Sequence, residues 1–326
     1  MSVTIKDIAK VAGVSYSTVS KALRNSPLVK APTKKRIMAI ADNLGYHPNV
    51  AARSLVSKRS NTVGIIWPTV ERAAHAALMT QINEHLEEKG YKSLISINNM
   101  SDAITTFQSI QVDAILIFYD QMTDQVPSIP DVPVLVYGTS HNSPFPVIDV
   151  NRKGALYLAV SHLIKAGHSH IAFIGDLSGR DPLQEEKVLG FKEGMLDGAG
   201  HIPSNLLINS NGMTYYDGYK AAEELLAAFP STITAIISGS FDLTKGIIRA
   251  VQEANLLIPE NVTILSYDNI PQTTTFESPV SVIGVPLEKI TGAIVNRLIN
   301  MMEHKNIPPS TILSPELIEV KAEMPS

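Results

Sequence analysis

Thr4-Ile5-Lys6-Asp7-Ile8-Ala9-Lys10-Val11-Ala12-Gly13-Val14-Ser15-Tyr16-Ser17-Thr18-Val19-Ser20-Lys21-Ala22-Leu23-Arg24 decides the fold of the N-terminal end. Thr4 suits an N-cap, with Asp7 three residues later facing the free N–H groups of a first turn. Ile8, Ala9 and Ala12 share one face at helical spacing, and Gly13 ends that helix. Ser15 caps a second helix in which Val19 and Leu23 continue the buried stripe. Tyr16, Ser17, Thr18 and Lys21 then face outward near its start. Two short helices around such a turn form a helix-turn-helix, whose second helix enters the DNA major groove and reads base edges.

A third helix follows. Pro32 fits its first position, Ile37, Ile40, Ala41 and Leu44 form its inward stripe, and Gly45 fits the residue past its end. Lys34, Lys35 and Arg36 near its start are expected at phosphates, which position a protein without reading sequence. A plain three-helix bundle with a solvated basic face is the competing view. Charge segregation favours DNA. Residues 1–60 hold eleven Lys or Arg and two acids, a balance of +9, so the rest of the 326-residue chain carries −13 and the whole −4. A basic arm on an acidic body is expected when one end touches phosphate.

Asn49 can cap a further helix of about two turns, too short to be stable alone in water. Residues 47–60 therefore read as a hinge that orders when docked. Its exposed Leu55 is a candidate wedge between base steps in the minor groove, as against an ordinary linker with one stray leucine.

Beyond Asn61, apolar strands alternate with helices. Val63-Gly64-Ile65-Ile66-Trp67, Ser93-Leu94-Ile95-Ser96-Ile97, Ala114-Ile115-Leu116-Ile117-Phe118 and Val134-Leu135-Val136-Tyr137 make one set. Ile171-Ala172-Phe173-Ile174-Gly175, Ala235-Ile236-Ile237-Ser238 and Val262-Thr263-Ile264-Leu265-Ser266-Tyr267 make another. Helical patterns cover 74–88, 104–110, 156–165, 218–228 and 243–254, while 194–200 reads as a helix end and turn. Buried parallel strands separated by helices imply doubly wound α/β sheets, and two sets imply two lobes. The fold class is thus α/β, a small all-α headpiece (1–46) and hinge (47–60) followed by a two-lobed core (61–326). One lobe takes 61–155 with 286–312, the other 156–285 with the C-terminal segment. Ligands of such sheets sit beyond the carboxyl ends of the strands. That rule picks out residues 69–72, Asn98, Asn99, Tyr119, Asp120, Asp176, Ser240, Phe241, Asp242, Asp268 and Asn269. Each alone is as readily a loop end or cap; their convergence points to a polyhydroxylated ligand.

The run from Val3 to Arg59, through Ala12-Gly13-Val14-Ser15, Thr18-Val19-Ser20, Tyr46-His47-Pro48-Asn49 and Ala52-Arg53-Ser54-Leu55, resembles the lac repressor/gal repressor family of bacterial transcription regulators, and the match is close to gap-free. The resemblance implies that Tyr16 and Ser17 read bases with help from Lys21, and that Leu55 intercalates at the operator centre. Lys21 stands where many members have Arg, keeping the charge and losing the bidentate fork. DNA contacts are expected from Thr4, Ser15, Tyr16, Ser17, Thr18, Ser20, Lys21, Arg24 and Lys34, and from Asn49, Ala52, Arg53 and Leu55 of the hinge.

The body is similar to the family's sugar-binding core, a relative of periplasmic sugar-binding proteins. Ser266-Tyr267-Asp268-Asn269 is similar to the family's Gly-Tyr-Asp-Asp/Asn segment, which implies an effector contact at Asp268. Lys187-Val188-Leu189-Gly190-Phe191 matches a stretch that usually begins with an effector-binding Arg. Ser240-Phe241 stands where Asn-Asp or Gly-Asp is common, leaving Asp242 as the substitute carboxylate. Arg72 and His75 replace the usual Asn and aromatic residue, and the loop over 99–107 is expected to be short. Expected effector residues are therefore Arg72, His75, Asn98, Tyr119, Lys187, Ser240, Phe241, Asp242 and Asp268. The positive charge of Arg72 and Lys187 points to an acidic or phosphorylated sugar.

Enzyme motifs are missing: there is no HExxH, GxSxG, Walker Gly-Lys-Ser/Thr or complete GxGxxG. No catalytic residue, metal site or cofactor is expected. Zero cysteines exclude disulfides and thiolate zinc sites. No secretory leader is visible, and no stretch approaches the roughly 18 apolar residues of a membrane span. Together with the DNA-binding end, this disfavours a plain secreted sugar-binding protein. The expectation is a cytoplasmic, effector-controlled repressor that binds a pseudo-palindromic operator as a homodimer, with 74–88 and 290–303 as candidate dimer helices.

Overall fold

The computed structural model describes residues 3–23, 25–46, 59–97, 100–119, 132–138, 143–202, 204–230 and 232–320. Arg24, Asn49, Ala52, Arg53, Leu55 and Asn98 lie outside the described residues, as do Asn99, Asp120 and the side chain of Tyr119. The chain divides into two units, Met1–Ser60 and Asn61–Ser326.

In the first unit, α1 (Ile5–Ala12), α2 (Tyr16–Leu23) and α3 (Ala31–Asn43) bury Ile8, Val19 and Ile37 completely at their common centre. Thr4 donates from both its N–H and its hydroxyl to the Asp7 carboxylate, at 2.9 and 2.7 Å. The Ser15 hydroxyl accepts from Thr18 N–H at 3.2 Å, capping α2. Gly13 takes φ +62°, a left-handed turn that a side chain would strain. Pro32 occupies the second rather than the first position of α3, since the helix begins one residue earlier.

The second unit is built on two six-stranded sheets. The first contains β1 (Thr62–Trp67), β2 (Lys92–Ile97), β3 (Ala114–Tyr119), β4 (Val134–Gly138), β5 (Val147–Val150) and β11 (Ser310–Leu313), in the order β11-β5-β4-β3-β1-β2 and all parallel. The second contains β6 (Ile171–Gly175), β7 (Leu207–Asn209), β8 (Ala235–Ser238), β9 (Thr263–Tyr267), β10 (Ser281–Gly284) and β12 (Glu316–Ile318), in the order β12-β10-β9-β8-β6-β7. Only β12 runs antiparallel, against β10. In register, buried Ile65 lies opposite buried Leu116 on one side and exposed Ile95 of the edge strand β2 on the other. In each sheet the strand order reverses once, at β1/β3 and at β6/β8, the kind of switch point where a crevice opens.

Seven helices cover these sheets among the described residues: α4 (Ala73–Glu88), α5 (Met100–Ile110), α6 (Arg152–Lys165), α7 (Pro182–Ala199), α8 (Tyr215–Ala228), α9 (Phe241–Glu253) and α10 (Leu287–Met302). The helix pairs approach closely. A Cβ on Gly190 of α7 would strike the Lys153 carbonyl of α6, and one on Gly246 of α9 would strike the backbone of α8. The chain passes between the sheets after β5, after β10 and after β11.

Several expectations need correction. Residues 100–107 are helical rather than a loop, because α5 begins at Met100 and buries Ala103, Ile104 and Phe107 under the first sheet. Strands β5, β7, β10, β11 and β12 are only three or four residues long and escape a reading based on longer apolar runs. Helices α4 and α10 bury one face in the core, with Ile82, Leu86, Ile294 and Leu298 wholly buried. No helix of the described residues is long and apolar enough to cross a membrane.

Candidate functional site

The outward start of α2 is the first candidate surface. Tyr16 is 55% exposed, and Ser15, Ser17 and Lys21 are exposed beside it. The hydroxyl of Ser15 lies 2.9 Å from that of Ser17 and 2.8 Å from that of Thr18. A helix N-terminus carrying hydroxyls, a phenol and an ammonium offers donors to phosphate and to base edges. Ser20 is only half-buried. Two expected contacts are otherwise occupied. Lys34 donates to the side chain and carbonyl of Asn25, at 2.7 and 3.2 Å, and the hydroxyl of Thr4 belongs to the α1 cap. Arg36 likewise donates to the Ala12 carbonyl at 2.8 Å, locking α3 onto the end of α1. Lys35 remains exposed.

The second candidate is a cleft between the sheets of the core, about 660 Å³ including the part open to solvent. Its aromatic wall is Phe118 against Tyr137, ring centroids 5.2 Å apart, with Trp67 4.9 Å behind Phe118. Such a wall suits the apolar face of a sugar ring. Arg72, His75, Lys187, Asp268 and Asn269 line the cleft, as the sequence led us to expect, joined by Arg152 and Gln184.

Each group is tuned by its surroundings. Burial, helped by the nearby Arg72, Lys187 and Arg152, lowers the His75 pKa to about 3, so its imidazole is neutral at every physiological pH. Lys187 is only 2% exposed; it donates to the Gly239 carbonyl at 2.7 Å and stands 3.9 Å above the Tyr267 ring. Burial lowers its pKa to about 7, against an opposing pull from Asp268. Burial pushes the Tyr137 phenol up to about 12, keeping it a neutral donor. Arg152 is buried, and burial works against its charge, but Asp149 heads the neighbours that raise its pKa above the ordinary value. Its Nη1 donates to Asp149 at 2.7 Å and to Glu186 of the neighbouring α7 at 3.3 Å.

Asp268 sits at φ +85°, a strained conformation for a residue with a side chain, directly after β9. Three buried polar atoms of cleft-lining residues have no hydrogen-bond partner among the described residues: Arg72 Nε, His75 Nδ1 and Gln184 Oε1. Buried polar atoms left unpaired are costly, so they mark where a polar ligand fits.

Three expected residues do not line the cleft. Ser240 is buried and caps α9, its hydroxyl accepting from Leu243 N–H at 3.3 Å. Phe241 is buried and stacks on Phe276, centroids 5.0 Å apart. Asp242 accepts from Ala73 N–H of the other lobe at 3.1 Å. All three stand after β8 as the strand-end rule requires, yet the start of α9 turns them into the seam between the lobes. Asp176 is spent on its own turn, accepting from Ser178 N–H at 2.9 Å. Sequence reasoning missed Arg152 and Gln184. The i, i+3 spacing of Asp149 and Arg152 was the available signal; the partner Glu186, far along the chain, gave none.

Comparisons with known proteins agree on both parts. The family described as bacterial regulatory proteins, lacI family, matches residues 4–49, and the periplasmic binding protein-like domain matches residues 160–320. Catabolite control protein A of Priestia megaterium is 28% identical over 331 residues, covering 98% of this chain and 99% of that protein. The probable HTH-type transcriptional repressor ExuR of Bacillus subtilis (strain 168) is 28% identical, covering 95% of each. Among solved structures, the lac repressor dimer bound to operator and the anti-inducer ONPF superposes with a TM-score of 0.84 at 21% identity, covering 98% of each chain. The transcriptional regulator CelR–cellobiose complex superposes with a TM-score of 0.68 at 22% identity, covering 98% of this chain and 100% of that one.

Proposed function

Because the chain belongs to the lacI family of bacterial regulatory proteins and is a DNA-binding transcriptional regulator, not an enzyme, we propose that it is a cytoplasmic, homodimeric repressor gated by an acidic or phosphorylated sugar. The observation that carries the ligand class is the convergence of Arg72, Arg152 and Lys187 on one cleft, with Arg72 Nε unpaired. Asp268 and neutral His75 serve hydroxyls, Asp268 as acceptor. Phe118 and Tyr137 serve the ring face. Asn98 and Tyr119 stay in this reading on their sequence positions alone.

For the DNA side, Tyr16, Ser17, Thr18 and Lys21 read bases, with Ser15, Ser20, Arg24 and Lys35 beside them. Asn49, Ala52, Arg53 and Leu55 engage the minor groove. Two copies related by a two-fold axis require a pseudo-palindromic site. Exposed Leu94, Ile95 and Ile97 on β2, an edge strand among the described residues, are a surface on which two copies would pair.

A panel of neutral sugars, uronates and sugar phosphates, screened by thermal unfolding, tests the ligand class. At about a hundred times Kd a true ligand adds about 2.7 kcal/mol, or roughly 5–10 °C in Tm. A shift from an acid or phosphate is expected. A shift from a neutral sugar, with none from its acid, overturns the reading.

Lys187 adds a pH signature. Between its folded pKa of about 7 and the ordinary 10.5, the unfolded chain holds a proton that the folded chain has released. The ligand-free core therefore gains stability from this group as pH rises through that window, and pays the full burial penalty below it. An anion beside Lys187 restores the ammonium. Binding near pH 7.5 is thus expected to take up a proton, read by calorimetry in buffers of different ionisation enthalpy. Affinity should fall from pH 7 to 9.

A further inference from the structure

Two helix N-termini from opposite lobes meet beside the cleft, and two carboxylates hold them. Asp242, in the first turn of α9, accepts from Ala73 N–H, the first residue of α4, at 3.1 Å. Asp268 accepts from Phe241 N–H, the first residue of α9, at 3.0 Å. Both helix ends carry partial positive charge and unpaired N–H groups, so a carboxylate at each is favourable where bare ends would repel. The seam also has an apolar half: Phe241 joins the buried core of the first lobe, against which Ala73 and Ala74 pack. Asp242 is half-buried, and burial raises its pKa, with the Ala73 N–H opposing.

We propose that Asp242 is a positioning residue that clasps the two lobes, and that engagement of Asp268 in the cleft is felt through Phe241 as a change in lobe angle. Asp268 is the only residue of this chain of contacts that both lines the cleft and bonds to the start of α9 among the described residues. A ligand hydroxyl drawing on its carboxylate competes with Phe241 N–H and so loosens the start of the helix that carries Asp242. The coupling half rests on the cleft being the effector site; the clasp does not, and its test uses no ligand.

The chain has no cysteine, so Gln108→Cys on α5 and Glu224→Cys on α8, both exposed, place one spin label on each lobe of the full-length protein, diluted in excess unlabelled protein so that a dimer carries at most one labelled copy. Ala73→Pro removes only the clasped N–H. Proline suits the first position of a helix, and Arg72 before it already has the extended ψ of 131° that a following proline requires. Pulsed EPR of the ligand-free protein should give one dominant interlobe distance. Ala73→Pro and Asp242→Ala should each raise the alternative population about tenfold, the size of one lost charge-assisted hydrogen bond. Their combination should add nothing further. Unchanged distances in the folded variants, or a shift in only one of them, overturn the proposal. Should Asp242→Ala not fold, Asp242→Asn decides. Its side-chain oxygen still accepts from Ala73 but without the charge, so it should raise the alternative population less than Ala73→Pro does, and an equal or larger rise overturns the proposal.

Discussion

Replacing Arg152 by Met should lower the melting temperature of the core by roughly 10 °C. Arg152 and Asp149 are 4% and 3% exposed, and their contact is 2.7 Å long. Removing one partner of a buried pair strands the other charge, which costs about 3–5 kcal/mol. For a unit of this size each kcal/mol moves Tm by about 2–4 °C. Arg152→Lys should recover only part of the loss. The contacts to Asp149, Glu186 and the Gly138 carbonyl all come from Nη1 at the far end of the guanidinium, and a lysine ammonium ends one bond short of that position. Removing both charges leaves neither stranded, so Asp149→Asn combined with Arg152→Met should be less damaging than Arg152→Met alone. Scanning calorimetry of the three variants checks this; an additive double variant contradicts it.

Tyr16→Ala should weaken binding to the chain's own operator by about 10–100-fold, while leaving its affinity for random DNA unchanged. A base-edge contact is worth about 1–3 kcal/mol of discrimination, and Tyr16 is too exposed for its loss to unfold the headpiece. The slope of log affinity against log salt should stay the same, because no phosphate contact is removed. Lys35→Ala should do the reverse, weakening operator and random DNA alike and flattening the slope by about one. Fluorescence anisotropy at several salt concentrations separates the two. Equal loss on both DNAs for Tyr16→Ala would move that residue from reading bases to holding the backbone.

The headpiece was legible because its chemistry is local. Thr4 with Asp7, Gly13, Ser15 and Gly45 act within a few residues of themselves, and the helices follow from them. The long strands were legible for the same reason. Short strands such as β5 were not, since Asp149 interrupts the apolar run of Val147, Ile148 and Val150. In the cleft, the strand-end rule found Arg72 and Asp268, and the family resemblance added His75 and Lys187. What neither could supply was the direction in which a helix start points. Ser240, Phe241 and Asp242 follow β8 as a ligand loop would, yet a cap, an aromatic stack and an interlobe bond use all three. Arg152 and Glu186 come together only because α6 and α7 pack side by side.

The central claim is that cleft occupancy sets DNA affinity. The direct measurement is a titration of full-length protein against a duplex enriched by it from a random pool, at one fixed salt concentration. It is run with and without the sugar acid or phosphate that raises its melting temperature. Coupling free energies between sites typically correspond to 5–150-fold, so an affinity change of at least about fivefold is predicted. Its sign tells whether the ligand releases the operator or secures it. The same dissociation constant with the cleft empty and saturated would contradict the account.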